Sequence, residues 1–263
     1  MIEVIPFNGL LYNLEIVGSL DEVTAPPYDV ISPDQQEALY QKNPHNVVRL
    51  IFGKGSDQDS DTDNRYTRSA KVFEGWINEG VLKRDDEPGL YLYSQEYEFE
   101  GERFCRVGFF ALVKIEDFSE GNICPHEFTL AKAKTDRTKL LNACHANFSP
   151  IFGLYSDPEG KIDSFLHEGV KSKPLSVIDD SKVVHKIWRL SNSESNKKIC
   201  DLIRDKKIYI ADGHHRYETA LAFSKDNKDK VIGSVHVMMF LTNMDSDSMS
   251  IFPIHRVVKS PTP

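Results

Sequence analysis

The chain is poor in cysteine. Its four thiols, Cys105, Cys124, Cys144 and Cys200, are scattered, with no C-x-x-C pair and no tight Cys/His spacing. That excludes a zinc-ribbon site and a small disulfide framework, and the thiols read as buried and reduced. Long apolar runs are missing too: none approaches the ~18–20 residues of a membrane span. The opening MIEVIPFNG lacks the basic-then-apolar layout of a secretory signal. A soluble, cytoplasmic protein with no membrane contact is the expectation. Positive charge is not in excess. Lys and Arg number 32 against 40 Asp and Glu, a formal net charge of −8, which argues against a nucleic-acid-coating role. The phosphate loop G-x-x-x-x-G-K-[ST], the elbow G-x-S-x-G and the fingerprint G-x-G-x-x-G are all absent. Asp57, Asp59, Asp61 and Asp63 alternate as in a calcium loop. Counting from Asp57, however, Thr62 and Arg68 occupy the positions that need Gly and Glu, so this is a solvated acidic loop.

What is present is globular, with 40% hydrophobic and 27% charged residues. Strand patterns fall at Ile2–Pro6, Val47–Phe52, Leu90–Phe99, Phe104–Ile115, Ile151–Tyr155, Val183–Trp188, Ile208–Ala211, Val235–Leu241 and Ser250–Val258. Ser32-Pro33-Asp34-Gln35 is a capping-box start for a helix running to about Asn43. Further helices are predicted over about Arg65–Glu79, with Ala70, Phe73 and Ile77 inward, and over Asp136–Ala146, Ile162–Val170, Glu194–Arg204 and His214–Ser224. Glu100-Gly101-Glu102-Arg103 joins two of the strands as a hairpin. The expectation is one α+β (mixed α/β) domain over residues 1–258, built on one mixed sheet system with flanking helices, and a tail over 259–263. The last strand stands five residues from the end, as in a shortened form of a longer protein.

Three clusters carry chemistry. The densest is Ala211-Asp212-Gly213-His214-His215-Arg216-Tyr217-Glu218, where a strand turns at a glycine into a helix. A helix start has unpaired N–H groups and partial positive charge, so it receives phosphate. Cations there are unfavourable unless an anion joins them. Asp212 capping the helix and neutralising Arg216 is the structural alternative. A metal held by His214 and Glu218 is a weaker one, and a magnesium ion held by Asp212 together with a nucleotide is favoured over it. The second cluster, Ala25–Ser32, presents Tyr28 and Asp29 on a loop stiffened by Pro26 and Pro27. The third is Pro125-His126-Glu127 followed by Lys132, Lys134, Asp136, Arg137 and Lys139. Arg137 is expected in the first turn of its helix, the wrong end for the dipole, and Glu127 beside His126 suits a general base. Asn46 and Arg49 are further polar candidates.

The set APPYDVIS, NVVRL, PHE, the Lys134–Arg137 segment and ADGHHRYETAL, in this order to about Val258, resembles the bacterial and archaeal family catalogued as domain of unknown function ten-fifteen. Members of that family run past the point where this chain stops. The DGHHR element is also similar to the strand–turn–helix of ParB-type partition proteins, sulfiredoxins and free serine kinases, which binds nucleotide phosphate. A sulfiredoxin's cysteine and a ParB protein's helix-turn-helix are missing here. The free serine kinases carry the D-G-H-H-R form and phosphorylate L-serine from ADP or ATP, with a glutamate as base. The resemblance therefore implies a nucleotide-dependent phosphotransferase acting on a small hydroxylated metabolite, free L-serine first, with ATP or ADP and Mg²⁺. Gly213, His214, His215 and Arg216 would hold the phosphates, Lys134 and Arg137 would neutralise developing charge, and Asp212 would orient the motif or share the metal. Glu127 would be the base, with Asp29 in reserve. A non-catalytic nucleotide-binding regulator and a metal-dependent hydrolase are the competing readings.

Overall fold

A computed structural model of the protein describes residues 1–127, 131–168, 170, 173–179, 181–247 and 249. It begins with β1 (Val4–Ile5) and β2 (Leu10–Tyr12), then two single-turn helices, α1 (Leu14–Val17) and α2 (Leu20–Val23), started by the side chains of Asn13 and Ser19. Helix α3 (Pro33–Lys42) forms at the predicted box. Ser32 Oγ accepts from the Gln35 N–H at 3.2 Å, and Gln35 Oε1 accepts from the Ser32 N–H at 3.0 Å.

The next segment departs from expectation. Val47–Phe52 is not a strand but a turn of helix, α4 (Val48–Ile51). Its β-branched composition favours a strand locally, yet tertiary bonds override that preference. Fully buried Asn46 accepts from the Val48 N–H at 3.0 Å and donates to the carbonyls of Glu22 and Thr24, each at 2.9 Å. Helix α5 (Arg65–Asn78) matches its prediction in length. Its inward stripe is rotated from the expected one, with Ser69 and Trp76 buried and Ile77 38% exposed. The cause is Trp76, whose ring packs between Tyr12 at 6.1 Å and His45 at 5.7 Å.

After β3 (Leu82–Arg84), which pairs with β2, come β4 (Leu90–Phe99) and β5 (Glu102–Lys114). Phe99 pairs with Glu102, so only Glu100 and Gly101 form the turn, both at positive φ (52° and 82°) as a two-residue hairpin requires. There follow β6 (Ile123–Cys124), α6 (Ala131–Cys144), β7 (Ile151–Tyr155), α7 (Lys161–Glu168), β8 (Leu175–Ile178), β9 (Val184–Leu190), α8 (Ser193–Ile203), β10 (Ile208–Asp212), α9 (His214–Asn227) and β11 (His236–Asn243). The strand expected over Ser250–Val258 lies outside the described residues.

Nine of the described strands make one mixed sheet in the order β6-β10-β7-β11-β5-β4-β9-β8, with β1 pairing β5 beyond the end of β4. The fold is mixed α/β, as expected. One face carries Leu92, Phe109, Ala111, Val113, Ile151, Met239 and Leu241 into a core closed by Ile162 and Leu166 of α7 and Ile199 and Ile203 of α8. Burying such residues contributes roughly 25 cal/mol per Å² of apolar surface. Helix α6 packs between α5 and α9, which ties the N-terminal helices to the sheet. Among the described residues no helix is long and apolar enough to cross a membrane. The four cysteines are free but, contrary to expectation, none is fully buried: Cys124, Cys144 and Cys200 are partly exposed, and Cys105, at the open end of β5 near the hairpin, is exposed.

Candidate functional site

The parallel pairing of β6 with β10 brings two of the sequence clusters together. Ile123 and Cys124 lie beside Ile208 and Tyr209, so Pro125-His126-Glu127 leaves the sheet next to the end of β10, where α9 starts. The register of β10 against β7 shifts between Ile210 and Asp212. In this irregular stretch the Ile210 carbonyl receives a hydrogen bond from His126 Nδ1 at 2.8 Å. The His126 backbone N–H donates to His214 Nε2 at 3.2 Å, and the two imidazoles meet edge to face with centroids 4.5 Å apart. Glu127 faces both rings: its Oε2 is 3.6 Å from His214 Nδ1 and its Oε1 is 3.8 Å from His126 Nε2. His214 is 3% exposed, whereas the Glu127 side chain is 63% exposed. Burial, helped by His126, holds the His214 pKa below the ordinary imidazole value, and the opposing pull of Glu127 and Asp212 does not overcome it.

Gly213 is the N-cap of α9 at φ +93°, and no side chain caps the helix. Only glycine fits: a Cβ here would enter a left-handed conformation and lie 3.0 Å from the Arg216 guanidinium. Asp212 does not cap the helix. It pairs instead with Arg216, which also donates to the Pro150 carbonyl. Glu218 is paired with Lys134 at 2.8 Å rather than turned to a metal with His214. Among the described residues no group of three or more His, Cys, Asp or Glu is arranged to hold a metal ion.

Arg137 lies in the second turn of α6, not the first, because the helix begins at Ala131. The dipole argument for an anion beside it therefore falls away. What surrounds it is more specific. Arg137 donates to Asp136 and, at 3.1 Å, to the carbonyl of Ile51, the last residue of α4. A helix end offers such unpaired carbonyls. The Arg137 guanidinium also stacks 3.7 Å from the centroid of Tyr28, which brings the proline-stiffened loop to the same place. Burial, with Asp29 and Asp136, raises the Tyr28 pKa against the fields of Arg137 and Arg216, so the phenol stays protonated. Asp29 itself is exposed.

Asp136 is the hub of the arrangement, a role its sequence position did not announce. It accepts from Tyr66 at 2.7 Å and pairs with Arg65 of α5 as well as Arg137. Burial opposes its ionisation, but Arg137, Tyr66 and Arg65 prevail and hold its carboxyl below the ordinary value. Asn46 and Arg49 serve the scaffold: Arg49 donates to the Tyr40 carbonyl at 2.7 Å and stacks on that ring. Two carboxylates of the acidic loop, Asp59 and Asp63, pair with Arg68 of α5 at 2.7 and 3.1 Å. An apolar cavity of about 780 Å³ lies beside the polar cluster and reaches Pro150, but His126, Glu127 and His214 do not line it.

Residues 4–263 match the family described as "Protein of unknown function (DUF1015)", and the chain belongs to that family. Neither a curated protein nor a solved structure matches it.

Proposed function

We propose that the protein is a nucleotide-dependent phosphotransferase that phosphorylates a small hydroxylated metabolite, with free L-serine as the first acceptor to try. One observation carries this reading: a helix start with no side-chain cap leads into Arg216, Lys134 pairs with Glu218 of the same helix, Tyr28 feels the charges of both Arg216 and Arg137, and Glu127 lies against His214. Phosphoryl transfer consists largely of positioning and charge stabilisation, and these residue types supply both. The N–H groups of the first turn of α9, with His215 and Arg216, hold the nucleotide's phosphates. Arg137 and Lys134 balance charge as it moves toward the leaving group. Glu127 takes the proton of the acceptor hydroxyl while its oxygen bonds to phosphorus and the bond to the leaving nucleotide breaks. A magnesium ion bound with ATP or ADP would supply further neutralisation of phosphate charge, and Asp212, exposed and paired with Arg216, is the carboxylate that would share it.

The test is direct. The protein is incubated with Mg²⁺, L-serine and either ATP or ADP, and O-phosphoserine is sought by phosphorus NMR. A His215→Ala/Arg216→Ala variant serves as control. Product from the wild type alone supports the reading. Nucleotide binding without product moves the proposal to another acceptor or to a non-catalytic sensor, and absence of both overturns it.

A further inference from the structure

Glu127 lies between two imidazoles whose protons are placed by the main chain. The Ile210 carbonyl can only accept, so His126 Nδ1, 2.8 Å away, carries a proton, and Nε2 is the nitrogen that offers a lone pair in the single-proton form of the ring. His214 Nε2 accepts the backbone N–H of His126 at 3.2 Å, which leaves that nitrogen bare and puts the His214 proton on Nδ1. The two oxygens of Glu127 therefore meet opposite partners. Oε2 faces a donor, His214 Nδ1, at 3.6 Å. Oε1 faces an acceptor, His126 Nε2, at 3.8 Å. Two acceptors facing each other lack a proton between them, and an alcohol hydroxyl brings one. The donor contact is longer than a finished hydrogen bond, as contacts to a base often are before substrate closes the site.

We propose that His214 is a positioning residue: its Nδ1–H, fixed in that tautomer by the main chain of His126, anchors Oε2 of Glu127. Oε1 and His126 Nε2 are then turned together toward the acceptor hydroxyl. This rests on the phosphotransferase reading above and adds how its base is aimed. The hydroxyl proton passes to Oε1, the hydroxyl oxygen bonds to phosphorus, and the electron pair of the broken P–O bond leaves with the nucleotide. Burial of His214 suits this role, because a ring closed off from water holds one orientation.

Nitrogen NMR of the free, histidine-labelled full chain tests the tautomer without any substrate. His214 is expected to show a protonated Nδ1 and a bare Nε2, with Glu127→Gln shifting the Nδ1 signal. A proton on Nε2, or an exchange average of both forms, overturns the proposal. Kinetics test the role. His214→Asn places an amide N–H near the site of Nδ1–H, whereas His214→Gln places one near Nε2. The glutamine variant is expected to lose about 100-fold in kcat and the asparagine variant under about tenfold, both with unchanged KM for nucleotide. Equal losses contradict the positioning role. A wild type that transfers no phosphate to any alcohol overturns the underlying function, and the NMR result separates that failure from a failure of the geometry.

Discussion

At the start of α3, Ser32 and Gln35 close a reciprocal box and Pro33 fills the first helical position, so the helix meets its own unpaired N–H groups. At the start of α9, Gly213 offers no side chain, and the next three residues are His214, His215 and Arg216. Both begin helices of the same protein, and the elementary requirement is identical. The first is met by the chain itself. The second has no side-chain cap, and under the proposed function it is the phosphate site, with Arg216, Arg137, Lys134 and Glu127 as the groups that would serve it. The proposal therefore assigns the self-capped start to the scaffold and the start without a side-chain cap to the ligand.

The comparison is broken most severely at the base. Glu127→Gln keeps the shape and removes the proton acceptor; kcat is expected to fall about 100-fold or more while nucleotide affinity, read by calorimetry, stays within about twofold. Asp136→Asn comes next, since it unpairs Arg65 and Arg137 together. Its expected effect is a loss of about 1–3 kcal/mol at neutral pH, measured by denaturant unfolding. The sign with pH follows from the lowered carboxyl pKa. The stabilisation is complete above the ordinary carboxylate range and is lost as pH falls through the folded-state value, so the gap between wild type and variant should narrow in acid.

Gly213→Ala forces a side chain into the left-handed region against Arg216 and should cost about 1–2 kcal/mol in thermal unfolding while weakening nucleotide binding. Ser32→Ala gives the smallest effect, about 1 kcal/mol, with nucleotide affinity unchanged. If Ser32→Ala weakened nucleotide binding as much as Gly213→Ala, the distinction between the two helix starts would be lost.

Much of this was legible in the sequence where local chemistry decides. The Ser32 box and the Gly213 junction each need particular residues in a row and formed where expected, and the hairpin turned within its expected four-residue connection, using only Glu100 and Gly101. Errors came where distant groups decide. Val47–Phe52 reads as a strand until the bonds of Asn46 to residues twenty or more positions away are seen. Arg137 then owes its setting to a carbonyl at the end of that unexpected helix. The convergence of Tyr28, Arg137 and the α9 start depends on the packing of α6 between α5 and α9, which no spacing within a single motif contains. Glu127, His126 and His214 were visible as residue types, but their meeting depends on the parallel pairing of β6 with β10.

The most direct measurement is calorimetric titration of Mg·ATP and Mg·ADP into the wild type, Ser32→Ala and His215→Ala/Arg216→Ala proteins. Binding of at least one nucleotide is expected for the first two proteins and its loss for the third. No binding by the wild type, or equal binding by all three proteins, would contradict the proposed phosphate site.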